Sequence, residues 1–417
     1  MYKGTNRDYK MADAPLNLTD EQHFTSHRPD GRHTATLPAL MEMMRQRPGD
    51  LNLPQELDEK SFAQWRAQVK ERARLLLNMP EPKPQPEPVM LSCVQREGYR
   101  VEKWEFYPDD YSAVPFLALI PDGVDAAHPA PAVMCYLGSA TPKEFGAVEP
   151  PATDHTNCSE EWGHYPERNR MAQYMAQSGW VAYAFDNPGA GETSVQTCPK
   201  DIKSDMYTRQ VMCNGLLNEG LPYVGLTVFQ RLQFMDQFLL KQDYVDKERI
   251  AISSHSLGTE AAIFVGLLRD EIKAIVFNED IHDDRRRYQC ITEHPGQRMF
   301  QNYGNWHIVP GQFASFGYQD MLAAFAPRWL SLNEGGADEF LHVIERAYEF
   351  CGEPERLAIH HYPDYADPAK RTNDVPLPLR GLSSGSFYRE YMYANTADHS
   401  FRREPALALL RRAFGEE

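Results

Sequence analysis

Positive charge is in short supply in this chain. Its 417 residues carry 43 Lys and Arg against 59 Asp and Glu, a net charge of -16. A nucleic-acid binder needs a basic footprint, so the balance argues against that partner. Long apolar runs are also missing. None approaches the ~20 residues of a membrane span, and no membrane partner is expected. The opening Met1-Tyr2-Lys3-Gly4-Thr5-Asn6-Arg7 lacks the apolar core of a secretory signal. The expectation is a cytoplasmic protein, unless a leader has been removed. Cysteine is sparse, with 7 scattered residues. They offer neither metal-ligand spacing nor a disulfide framework. Cys135 and Cys213 read as buried free thiols, and no metal is expected.

What is present is enough apolar content, 42%, for a sizeable core. The length allows one large α/β domain with additions, or two domains. Residues 1–88 read as a helical N-terminal extension, with amphipathic segments at 37–46 and 57–78. Its end, Pro80-Glu81-Pro82-Lys83-Pro84-Gln85-Pro86-Glu87-Pro88, stops any helix, because proline lacks the donor and clashes with the preceding turn. It reads as a semi-rigid linker. Residues 89–417 read as the main domain. Strand-like runs at 89–94, 100–107 and 114–120 suggest antiparallel neighbours. Further runs at 132–137, 180–185, 250–253, 273–278, 328–332 and 357–361 alternate with helical segments, among them 169–178, 226–240 and 339–350. Buried strands separated by helices imply a mostly parallel sheet covered on both faces. An antiparallel lead-in before such a sheet fits an α/β-hydrolase fold.

The most informative stretch is Ser254-His255-Ser256-Leu257-Gly258. It follows the apolar Ile250-Ala251-Ile252 and precedes the helical Glu260-Ala261-Ala262-Ile263-Phe264-Val265. Strand, small-x-Ser-x-Gly turn, helix is the layout of a nucleophile elbow. The position two before the serine is usually Gly, and here it is the small residue Ser254. Ser256 is therefore the candidate nucleophile. A serine hydroxyl needs a base in reach, and the base needs an orienting carboxylate. In this fold they follow in the order Ser, acid, His. His399, in Asp398-His399-Ser400-Phe401 before the final helical segment 404–414, is the preferred base. His360 and His361, at the end of the last strand-like run, compete with it. The preferred acid is Asp338, in the turn Asn333-Glu334-Gly335-Gly336-Ala337-Asp338. Glu334 is second, and Glu279, one strand earlier, is third. Asp338 also suits a helix N-cap. An oxyanion hole needs two backbone N–H groups. Leu257 is expected to supply one. Ser139, in Gly138-Ser139-Ala140, is expected to supply the other. His255 reads as packing beneath the turn, pointing away from the site. The loop from Asp186 to Glu192 lacks phosphate-binding spacing and reads as a tight strand-to-helix connection.

Together, the elbow, the 186–192 loop, Gly138-Ser139-Ala140, the Gly335-Gly336-Ala337-Asp338 turn and the 398–401 stretch resemble α/β-hydrolases. In particular they are similar to the acetylxylan-esterase-like and dienelactone-hydrolase-like branch, over about residues 90–417. The resemblance implies a carboxylic-ester hydrolase, in several members acting on acylated plant polysaccharides, with no cofactor. Two departures are Ser254 in the elbow and the long 362–397 loop before His399.

Two insertions would shape a pocket. Trp162, with His164 and Tyr165, lies in the first, and Phe387 to Tyr393 lie in the second. Asn305-Trp306-His307 forms a further candidate rim. Trp162 and Trp306 are the expected substrate-binding aromatics, able to stack on a sugar or to line an acyl pocket. The leading expectation is a serine esterase acting through an acyl-enzyme on Ser256. Its partner would be a small-molecule or saccharide ester, and homo-oligomerisation stays open. A peptidase or amidase with the same triad is the alternative enzyme. A non-catalytic binding protein on a hydrolase fold is the alternative from another class.

Overall fold

Apolar runs too short for helices and rich in Val, Ile, Ala and aromatics build one sheet of nine strands. They are β1 (Val89–Arg96), β2 (Tyr99–Phe106), β3 (Val114–Pro121), β4 (Ala130–Tyr136), β5 (Val181–Phe185), β6 (Val245–His255), β7 (Ile272–Asn278), β8 (Trp329–Leu332) and β9 (Leu357–Ile359). Their order is β1-β2-β3-β5-β4-β6-β7-β8-β9. β1, β2, β3 and β5 pair antiparallel, and the rest of the sheet is parallel. This is an α/β-hydrolase sheet with an antiparallel lead-in. The computed structural model describes residues 29–30, 32, 36–47, 49–138, 170–194, 202–282, 304–371, 387–395 and 398–416.

The central strands are mostly apolar because helices cover both faces. β4 is buried at every position. Met134 and Tyr136 enter one core, and Val133 and Cys135 enter the other. The first core is capped by α2 (Glu59–Leu77), α5 (Tyr223–Gln237), α6 (Gly258–Leu268), α7 (Tyr318–Phe325) and α8 (Asp338–Phe350). The second is capped by α3 (Met171–Gln177) and α9 (Arg403–Phe414). Two further helices are α1 (Thr36–Arg45) and α4 (Ile202–Asn218).

The chain divides into units 1–47 and 48–417. α1 lies in the first unit. α2 lies in the second and packs into its main core. Phe62, Trp65, Val69, Ala73 and Leu77 recur at helical spacing and are all buried. Asp58 caps its start by accepting from the Lys60 and Ser61 amides, and Asn78 closes its end at φ 43. The proline stretch that follows is irregular. It is tied down by Lys83 to Asp110 at 2.7 Å and by Lys241 to Glu87 at 3.1 Å.

All nine expected strands form. β6 begins earlier than residue 250, because Asp246, Lys247 and Glu248 occupy a solvent-facing start that an apolar run does not reveal. α4 was not expected, since its apolar residues follow helical spacing only weakly. Among the described residues, no helix is long and apolar enough to cross a membrane.

Candidate active site

β6 ends at His255 and α6 begins at Gly258, leaving two residues for the reversal. Ser256 makes that turn at φ 52, a left-handed conformation that non-glycine residues rarely adopt. Its amide donates to the Asn278 carbonyl at 3.1 Å. Its carbonyl accepts from the Thr259 amide at 2.8 Å and the Thr259 hydroxyl at 2.6 Å. Gly258 is required by packing, because a Cβ there would lie 2.4 Å from the Tyr136 carbonyl oxygen. The unusual Ser254 is buried, and its hydroxyl donates to the Val276 carbonyl on β7 at 2.7 Å. The strand pairing therefore absorbs the extra atom.

Gly138 follows β4 and abuts the elbow. A Cβ on it would stand 3.4 Å from the Ser256 Cβ. Asn187 braces this stretch, its side-chain amide donating to the Leu137 and Gly138 carbonyls at 2.9 and 3.1 Å. Ser139 and Trp162 lie outside the described residues. Leu257 is buried next to Ser256, at the N-terminal end of α6, where unpaired amides and the helix dipole favour negative charge.

His399 stands at this elbow. Its ring centroid is 4.6 Å from that of His255, the residue preceding Ser256. His255 does not point away as the alternation argument expected. The chain reverses at Ser256 instead of continuing the pleat, so His255 is buried beside His399, with Nδ1 3.2 Å from the Asn278 carbonyl oxygen.

The carboxylate on His399 is Glu334, with Oε2 2.7 Å from Nδ1. Glu334 is only 1% exposed and saturated with donors. Tyr362 donates its hydroxyl to Oε2 at 2.8 Å, and the Asn278 side-chain amide donates to Oε1 at 2.8 Å. Asn278 also donates to the Ser400 carbonyl at 3.1 Å, and its own oxygen accepts from the Arg402 amide at 2.7 Å. One uncharged residue at the end of β7 thus ties together the elbow, the acid and the histidine loop. Asn278 was missed from sequence because it belongs to no catalytic motif. Its only signal was position, at the C-terminal end of a central strand.

Asp338, the preferred acid from sequence, is placed elsewhere. It opens α8, and its Oδ1 accepts from Arg371 Nε at 3.1 Å. The glycines of the turn separate the two candidates. Gly336, at φ 143, turns the chain where a Cβ would meet the Ile281 carbonyl oxygen at 2.5 Å. Glu334 stays at the strand end facing His399, and Asp338 goes to Arg371. Glu279, the third candidate, lies on the other edge of the imidazole, with Oε2 3.8 Å from His399 Nε2.

Burial alone would push the His399 pKa down. The Glu334 and Glu279 carboxylates outweigh it and raise it to about 10. Burial pushes the Glu279 carboxyl well above the usual range, with Asp280 and Glu334 adding to the rise and His399 opposing it. Burial and the neighbouring Glu334 carboxylate also raise the Tyr362 hydroxyl, so it keeps its proton and donates. Among the described residues, His255, Glu334 and His399 bring ligand atoms within 4.8 Å of one another. Two zinc ligands at about 2.0–2.2 Å from a tetrahedral ion stand about 3.4 Å from each other, whereas Glu334 Oε2 and His399 Nδ1 are 2.7 Å apart and share a hydrogen bond.

Trp306 is buried with Leu257, Tyr223 and Cys213 in a small cluster beside the elbow. Its neighbour His307 pairs through Nδ1 with Glu260 Oε1, in the first turn of α6. Glu260 was not foreseen as a functional residue.

A family model described as Abhydrolase family matches residues 16–412. Among solved structures, a candidate acetyl xylan esterase from Bacteroides fragilis NCTC 9343 is 30% identical. It covers 93% of this chain and 97% of its own, with a TM-score of 0.83. A methylesterase at 14% identity covers 92% of this chain and 81% of its own, with a TM-score of 0.52, and shares the fold. A search of curated proteins finds no significant match.

Proposed function

The chain belongs to the abhydrolase family, and we propose that it is a serine esterase that removes a short acyl group, such as acetyl, from a carbohydrate ester. The observation that carries this reading is Ser256 held at φ 52 on the elbow beside a histidine whose Nδ1 rests on a buried carboxylate. The structural neighbour described as an acetyl xylan esterase supports the choice of ester.

In this mechanism Ser256 Oγ attacks the ester carbonyl, and Nε2 of His399 in its neutral form takes its proton. Glu334 takes the role expected of Asp338. It fixes the tautomer from Nδ1 and balances the imidazolium as it forms. The Leu257 amide and the loop after β4, where Ser139 was expected, hold the oxyanion. His399 returns the proton to the alcohol oxygen as the C–O bond breaks. Water, deprotonated by the same imidazole, then cleaves the acyl-enzyme and regenerates the Ser256 hydroxyl.

The test is turnover of 4-nitrophenyl acetate and labelling by a fluorophosphonate, comparing wild type with Ser256→Ala. Loss of a serine nucleophile costs about 10⁶ in kcat in a well-studied protease. The expected outcome is loss of both signals in the variant. Equal turnover in the two proteins would remove Ser256 as nucleophile.

A further inference from the structure

Two buried polar groups beside the elbow have no protein hydrogen-bond partner among the described residues. One is Glu260 Oε2 and the other is Trp306 Nε1. Glu260 is 8% exposed and Trp306 is 5% exposed. A buried polar atom left unpaired costs about 1–3 kcal/mol, so native proteins keep few of them. Trp306 clusters with Leu257, the residue after Ser256, and Glu260 reaches the same turn through His307, so the two point to a ligand that completes them.

The surroundings are built rather than loose. Glu260 is fixed by its other oxygen on His307 Nδ1. The turn carrying Trp306 and His307 is pinned to α4, where the Asn305 amide donates to Gln210 Oε1 at 3.1 Å. Tyr223, in the same cluster, has its hydroxyl committed to the Pro188 carbonyl at 3.0 Å. Arg209 lies 5.4 Å from the Trp306 ring centroid and 5.9 Å from that of Tyr223, which holds both rings in place.

We propose that Glu260, His307 and Trp306 form a subsite for the hydroxyls of a sugar ring, the alcohol portion of the ester. The N–H of Trp306 can only donate and the carboxylate of Glu260 can only accept. A hydroxyl does both, and a sugar ring carries several on a frame whose C–H faces pack on aromatics. An acetyl methyl group would satisfy neither atom. An anionic ligand would meet the Glu260 carboxylate. This subsite rests on the esterase reading above and specifies its alcohol side.

The experiment compares kcat/KM on monoacetylated methyl β-xyloside with kcat/KM on 4-nitrophenyl acetate, which has no hydroxyl to bind. Glyceryl monoacetate, a polyol without a ring, serves as a third ester. Trp306→Phe removes the N–H and keeps an aromatic ring. Glu260→Gln keeps the shape and removes the charge. The xyloside-to-nitrophenyl ratio should fall at least tenfold in one or both variants, the scale of a lost hydrogen bond in a buried site. The glyceryl ratio should move less. A xyloside ratio unchanged in both variants, or a glyceryl ratio that falls as far, would overturn the proposal. If wild type cleaves none of the esters, the esterase reading fails, and the subsite is judged by binding alone. Saturation-transfer NMR should then show methyl β-xyloside on wild type and a weaker signal on Trp306→Phe. No signal on wild type, or equal signals, would refute it.

Discussion

Glu334→Gln keeps the volume of the side chain and removes its charge, which makes it the sharpest probe of the proposed triad. Both oxygens of Glu334 accept. Oε2 takes Tyr362 and His399, and Oε1 takes Asn278. An amide has one acceptor and one donor, so one edge must be wrong. With the oxygen toward His399, the new NH₂ faces the Asn278 amide nitrogen. Asn278 cannot turn to meet it, because its oxygen is held by the Arg402 amide at 2.7 Å and its nitrogen by the Ser400 carbonyl at 3.1 Å. With the nitrogen toward His399, the imidazole is driven to the other tautomer and loses its acceptor at Nε2. The first choice leaves donor against donor, at about 1–3 kcal/mol of stability, and the second takes the base away. The kinetic loss should be larger. Replacing the triad carboxylate by its amide costs about 10⁴ in kcat in the serine protease template, and about 10³–10⁴ is expected here. At 1.36 kcal/mol per tenfold, that is roughly 4–5.5 kcal/mol of transition-state stabilisation. The assay is kcat on 4-nitrophenyl acetate, with a thermal melt to show that the variant is folded. Asp338→Asn is the control. Its carboxylate lies on Arg371, so it should retain activity within about threefold of wild type. A folded Glu334→Gln with activity within tenfold of wild type would refute the assignment. So would an Asp338→Asn that loses as much.

Two further predictions follow from the same geometry. Glu279→Gln removes a carboxylate that raises the His399 pKa, so the neutral, basic imidazole should appear at lower pH. The ascending limb of kcat/KM against pH should move in the acid direction, and an unmoved limb would mean that Glu279 does not act on the base. The stability sign agrees. A histidine raised to about 10 when folded contributes stability that is full below its unfolded value near 6.5 and is lost as pH rises through about 10. The variant, whose histidine is raised less, should therefore lose less stability than wild type as pH rises from about 6.5 to about 10. Gly258→Ala places a Cβ 2.4 Å from the Tyr136 carbonyl oxygen and 2.9 Å from that of Leu137. Overpacking of this kind costs about 1–3 kcal/mol, and a thermal melt should show it. An unchanged melting temperature would mean that the elbow has room to move.

The sheet was legible because its central strands are buried on both faces, which leaves an apolar run wherever a strand stands. The elbow was legible because a two-residue reversal admits few side chains. His399 drew notice because it precedes the final helix, a placement set by chain order, and the structure sets it on Glu334 beside the elbow. The choice between Glu334 and Asp338 could not be read. They lie in one turn, four positions apart, and both suit a carboxylate role. What separates them is partners distant in sequence: His399, Tyr362 and Asn278 for one, Arg371 for the other. The same limit hid Glu260, which the sequence places only at the start of a helix and which meets His307 from another loop.

The site holds two carboxylate–imidazole pairs, and their hydrogen bonding distinguishes their work. Glu334 meets His399 at Nδ1 and Glu260 meets His307 at Nδ1. The geometry of the pair alone would make either histidine a base. Glu334 spends both oxygens within the protein, accepting from three side chains at 2.7–2.8 Å. A group so saturated has nothing left to offer a ligand. It can only hold an imidazole in one tautomer and answer its charge. Glu260 spends one oxygen on His307 and leaves the other buried without a partner among the described residues. That is a poor arrangement for orienting a base, because the free oxygen gains nothing from the proton transfer. It is a good one for a substrate hydroxyl, which repays the desolvation only when it arrives. On this argument the proposed base is His399, while Glu260, held by His307, is the proposed partner of a substrate hydroxyl, and the ratio test on Glu260→Gln separates the two roles where a single rate could not.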